Sequence, residues 1–168
     1  MSFSIFDPLG AAHKVVSAAM DIEVIYADQG KPMPDPPFAA IRAGRMITRG
    51  YVERRGVDTD GNDLLIEPTS FNVELQFIGP SAQQYAHNTR LRLQSESVME
   101  LAESLNISIT EIGPANNITT LRDKQYEARY VLEFVLNFTG EFVDNVGLIE
   151  HVVIDGSPDF PTVQVDIP

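Results

Sequence analysis

The chain has 168 residues, of which 43% are hydrophobic and 21% charged, so a packed core is within reach and wholesale disorder is not expected. Twenty-four acidic residues against 12 basic ones give a net charge of −12, which opposes non-specific binding to a phosphate backbone or an anionic membrane. Cysteine is absent, which excludes disulfides, thiol catalysis and cysteine-ligated metal; no apolar run nears the ~18 residues of a helical membrane span, and Met1–Asp7 has no basic or long apolar region of a secretion signal.

Asp7 is placed to cap a helix that begins with Pro8, and Leu9, Ala12, Val16 and Ala19 or Met20 recur at helical spacing. A helix is therefore predicted over residues 8–20, followed by a short strand from Ile22 to Tyr26. Residues 30–37 hold four prolines, which remove amide donors and predict an extended connector. Residues 38–67 read as strands around a turn, because Asp60-Gly61 lies between Tyr51-Val52 and Leu64-Leu65-Ile66. Phe71, Val73, Leu75 and Phe77 alternate with polar residues and predict a half-buried strand stopped by Gly79-Pro80. Ser81 with Gln84, and Ser97 with Glu100, have the spacing of capping boxes for two short helices separated near Ser95. Ile107 to Ile112 alternates again.

The clearest alternation runs from Tyr126 to Phe138, with Tyr130, Leu132, Phe134 and Leu136 on one face. Thirteen extended residues span ~43 Å. Val131 and Val135 interrupt the polar face, so cover over that face is expected too. Leu148 to Ile154 is a last strand candidate, and Asp155 to Pro168 reads as an acidic tail. The sum is an α+β fold: a mostly antiparallel β-sheet with helices packed on one face, plus a protruding β-hairpin around Gly61. The length suits a single domain, parsed as an N-terminal helix, strand and connector (1–37), an α+β core (38–154) and a C-terminal tail (155–168).

No catalytic constellation emerges. His13, His87 and His151 fall on different elements without metal-binding spacing, and neither phosphate-binding glycine loops nor a nucleophile elbow occurs. Asp58-Thr59-Asp60-Gly61-Asn62-Asp63 has its glycine too early for a helix-loop-helix calcium loop, and the twelfth position would be Thr69, so it reads as a solvated turn. No catalytic residue, cofactor or metal ligand is therefore expected. Two charge patterns stand out. Arg42, Arg45, Arg49, Arg54 and Arg55 fall within fourteen residues, whereas Tyr130 to Pro168 holds seven acids and no lysine or arginine. They read either as solvated surface or as complementary halves of a subunit contact, with Arg49, Arg54 and Arg55 facing Glu141, Asp144, Asp155 and Asp159 of a neighbour.

From about Asp58 to Ile154 the sequence resembles the neck and tail-terminator proteins of tailed bacteriophages. The resemblance is carried by Asp58-x-Asp60-Gly61, by the strand Phe71-Asn72-Val73-Glu74-Leu75-Gln76-Phe77-Ile78-Gly79 leading to Ala82, and by helices ending in Leu105-Asn106-Ile107. Ile118-Thr119-Thr120-Leu121, Tyr126-Glu127-x-Arg129 and a closing Ile149-x-x-Val152-x-Ile154 complete it. It implies a non-enzymatic virion protein, assembled in the host cytoplasm, whose copies form a ring, expected to be a hexamer. Such a ring caps the tail tube, joins it to the head connector and lets DNA pass through its lumen without specific binding. A head-completion or other head-tail joining protein is the neighbouring reading. A generic binding module and a carboxylate-based hydrolase are the readings from other classes; a deep pocket around a perturbed acid would favour the latter.

Overall fold

The computed structural model describes residues 6–30, 32–122, 125–148, 151–154 and 163–166. Their elements, in chain order, are α1 (Pro8–Ala18), β1 (Glu23–Tyr26), β2 (Phe38–Thr48), β3 (Glu53–Val57), β4 (Asn62–Ile78), α2 (Ala82–Arg92) and α3 (Glu96–Ser104). There follow β5 (Ile107–Thr110), β6 (Asn116–Asn117), β7 (Thr120–Arg122), β8 (Gln125–Glu127), β9 (Arg129–Asn145), β10 (His151–Ile154) and β11 (Val163–Asp166). The fold is α+β, with a mostly antiparallel sheet. Two compact units share the chain: the first draws on Met1–Tyr51 and Glu67–Gly140, the second on Val52–Ile66 and Glu141–Pro168. β4 and β9 contribute residues to both.

In the first unit the sheet order is β1-β2-β4-β9-β5, and β6 also pairs with β9. β1 and β2 run parallel, an exception to the antiparallel expectation that the proline-rich connector permits by carrying the chain back between them. β2 and β4 are antiparallel, with Ile41 opposite Leu75 and Arg42 opposite Glu74. The alternation of β4 puts Phe71, Val73, Leu75 and Phe77 in one core with Leu132, Phe134 and Leu136 of β9. The three helices add Ala11, Ala12, Val15 and Val16 from α1, Ala82 and Ala86 from α2, and Val98 and Ala102 from α3 to the same core. They therefore cover that face of the sheet. Tyr130 is packed against this core, as its place in the alternation predicts. On the other face Val131 and Val135 are buried as well, so the sheet is shielded on both sides there. Phe38, Ala40 and Ile78 form a smaller second cluster.

Asp7 caps α1 as expected, its Oδ1 accepting from the Gly10 amide at 2.9 Å. Neither capping box forms. Ser81 sits in the left-handed region (φ 61°, ψ 19°) after the Gly79-Pro80 corner, whereas a box needs an extended N-cap, and its side chain makes no cap bond. The second of the helix pair, α3, has Ser95 rather than Ser97 at its N-cap position, without a side-chain cap bond. The Ser95 hydroxyl is already committed to the Arg92 carbonyl at 2.7 Å, closing the turn that separates the helices.

Strand boundaries differ more. The predicted 71–77 strand is the second half of the seventeen-residue β4, which runs from the turn through Pro68. Proline sits where β4 changes partner: Ile66 pairs with Glu53 of β3 and Thr69 with Thr48 of β2. The missing amide donor falls in that gap, while the Pro68 carbonyl still accepts from Arg49 N at 2.8 Å. The long strand expected over 126–138 is divided at Ala128, whose carbonyl takes the Gly79 amide at 3.0 Å, leaving β8 to pair with β7. β9 then continues beyond Phe138 to Asn145, because backbone pairing does not need the side-chain alternation that ends there. Of the last predicted strand, His151–Ile154 form β10 and residues 149–150 lie outside the described residues; part of the expected acidic tail is strand β11, antiparallel to β10. Residues 155–162 lie outside the described residues.

Candidate assembly interface

The second unit is organised around the turn from β3 to β4. Asp58 and Asn62 close the loop by the bond from Asp58 N to Asn62 O at 2.9 Å, and Gly61 N reaches Asp58 O at 3.1 Å. Gly61 adopts φ +78°, the left-handed conformation that three-residue hairpin loops place at glycine. A side chain there would also meet the backbone of Gly147 at 2.9 Å. The Asp58 carboxylate accepts from the amides of Asp60 and Asn62, each at 2.9 Å, and from the Asn62 side chain. The Asn62 amide above all holds its pKa below the ordinary carboxylate value, against a smaller opposing effect of desolvation. Asp58 thus serves the turn itself, in line with the reading of a turn rather than a calcium loop. Gly61 O accepts from Val146 N and Gly147 N, and Asn62 Oδ1 accepts from the Asn145 side chain at 2.9 Å, tying the end of β9 to the turn.

Four of the five clustered arginines are held by acids of their own chain. Arg42 on β2 bonds both oxygens of Glu74, its cross-strand neighbour, at 3.0 and 3.1 Å. Arg49, just past β2, donates to Ser70 Oγ at 2.9 Å and to Glu111 at 3.2 Å. Arg54 on β3 lies 3.7 Å from Asp63 and Arg55 lies 2.9 Å from Glu53. Only the Asp63 end of these last two contacts is shielded from water; its Oδ1 has no hydrogen-bond partner among the described residues. The hairpin of β3 and β4 therefore carries Arg54 and Arg55, whereas Arg49 belongs to the other unit.

The acidic half is more open. Glu141 is exposed and Asp144 half-buried on the last turn of pleat of β9, and neither has a basic partner among the described residues. Val143 between them is 58% exposed, and Val52, Val57, Val146 and Leu148 of the same unit are each about half exposed. These exposed apolar side chains are available to a protein–protein contact. Asp155 and Asp159 lie outside the described residues.

A third surface, in the first unit, has no counterpart in the sequence reading. A groove of about 460 Å³ lies between α2 and the segment joining β5 to β6. Gln83, His87 and Arg90, at positions i, i+4 and i+7, supply one wall from a single stripe of α2, and Ile112, Pro114 and Tyr130 supply apolar surface. Arg90 Nε donates to the Gly113 carbonyl at 3.1 Å, while Gly113 N bonds Glu133 O at 2.8 Å, which fixes the loop against β9. The i, i+4, i+7 stripe was visible in the sequence, but nothing there showed that the loop following β5 would face it.

The other histidine described in contact is structural. His13 Nε2 donates to the Val24 carbonyl at 2.9 Å and its ring stacks on Tyr26, joining α1 to β1. Among the described residues no group of three or more histidine, aspartate or glutamate side chains could hold a metal ion. A family model described as phage neck terminator protein matches residues 4–159. No curated protein matches the chain.

Proposed function

Because the chain belongs to the phage neck terminator family, and is thereby a structural protein of the virion neck that contacts other head or tail proteins, we propose that its copies close into a six-membered ring on the end of the tail tube. The ring caps the finished tube and joins it to the head connector. The match over residues 4–159 carries this reading, since it spans both units rather than one motif. The surface chemistry supports it. A heterologous contact repeated about a rotation axis closes a ring, and it needs two different complementary surfaces on each copy. The exposed end of β9, with Glu141, Asp144 and Val143, is one such surface. The negative charge of the whole chain keeps DNA from adhering to the lumen while it passes.

Native mass spectrometry of the purified protein, alone and with tail tube protein, tests the ring. Six copies in at least one of the two conditions are expected. Monomers in both, at concentrations of tens of micromolar, would reject it.

A further inference from the structure

The arginines that the sequence offered as the basic half of a subunit contact are engaged within their own chain. Reversing Arg54 would also bring a second carboxylate beside the buried Asp63, so that residue is poorly suited to an exchangeable contact. The groove beside α2 is different. Arg90 uses Nε on Gly113, and its two terminal nitrogens have no partner among the described residues. His87 stands one turn before it, and no aspartate or glutamate among the described residues lines the groove. A guanidinium left without a counter-ion beside apolar surface, in so acidic a protein, is built for a carboxylate brought from outside.

We propose that this groove receives the end of β9 from a second copy of the chain, with Glu141 paired to Arg90 and Val143 set against Ile112 and Pro114. Residues 141 and 143 share a face of the strand, about 7 Å apart along it, so an anion and an apolar side chain arrive together. Both are exposed, and Glu141 has no basic partner of its own among the described residues. The two surfaces are unlike and both present on every copy, which is the condition for a closed ring. The proposal rests on the ring reading and specifies its contact.

The test is a charge swap read by native mass spectrometry and sedimentation, with circular dichroism to verify folding. It uses the full chain under whichever condition gives the wild-type ring. Arg90→Glu, His87→Glu and Glu141→Arg are each expected to raise the dissociation constant by roughly 30-fold or more, since one charge of the contact is then opposed. Glu103→Lys, an exposed position on α3 that belongs to neither surface, is expected to leave it within a few-fold. An equimolar mixture of Arg90→Glu and Glu141→Arg should restore a ring with an even number of copies, because each groove then meets the opposite charge of the other variant. His87→Glu leaves the bond between Arg90 and Gly113 intact and decides the matter if Arg90→Glu fails to fold. Rings that persist in all three variants would overturn the contact and leave the ring standing. Loss of rings without rescue in the mixture would show that the two surfaces are not partners. Absence of a wild-type ring in every condition would remove the ring reading and this contact with it.

Discussion

Asp58 gives the turn between β3 and β4 a dependence on acidity. Its carboxylate gathers the Asp60 and Asn62 amides, and the lowered pKa means that the folded state favours the charged form. Such a group stabilises the fold above the pKa of the unfolded chain, and that contribution is lost as pH falls through the lower folded value. Asp58→Ala should therefore melt below the wild type at pH 7, and the gap should close as the pH is taken below ~4. A gap independent of pH would mean that the carboxylate does not organise the turn. Single-residue signals in the sequence had mixed fortunes for the same physical reason. Asp7 caps α1 because it stands in the extended conformation that an N-cap needs, and Asp60-Gly61 marks the turn because few residues other than glycine accept φ +78°. Ser81 and Ser97 have equally good spacing, yet backbone conformation at Ser81 and the extended Ser95 two residues before Ser97 override it. The arginines were legible as a cluster, but their partners Glu74, Glu111 and Asp63 come from other parts of the chain and appear only with strand pairing.

At the scale of elements, period-two alternation located the core. Phe134 is 1% exposed and lies in one cluster with Val73, Leu75 and Phe77, with helices on that face. Phe134→Ala removes a large buried side chain and leaves a cavity, so a loss of ~3–5 kcal/mol is expected in a denaturant melt. A loss under ~1 kcal/mol would contradict the packing of β9 against β4. The ends of these strands were harder to read. Alternation reports which residues are buried, not how far backbone pairing extends, so β4 was seen as two pieces around Pro68 and β9 ended too early at Phe138. The parallel pairing of β1 with β2 and the groove beside α2 depend on contacts between distant segments, which no local pattern encodes.

For the whole molecule, charge and assembly are linked. Arg42, Arg49, Arg54 and Arg55 each face an acid of the chain, so the cluster offers little free positive charge on a protein whose net charge is −12. Short duplex DNA should accordingly bind with a dissociation constant weaker than ~100 μM at ~0.15 M salt. A salt-sensitive gel shift at micromolar protein would contradict this. The most direct test of the terminator role is the length distribution of tails, measured by electron microscopy, from a phage lacking this gene. Intact heads beside unattached tails of irregular or excessive length are expected, because nothing caps the growing tube. Tails of normal length, whether left unjoined to heads or carried on infectious particles, would contradict termination.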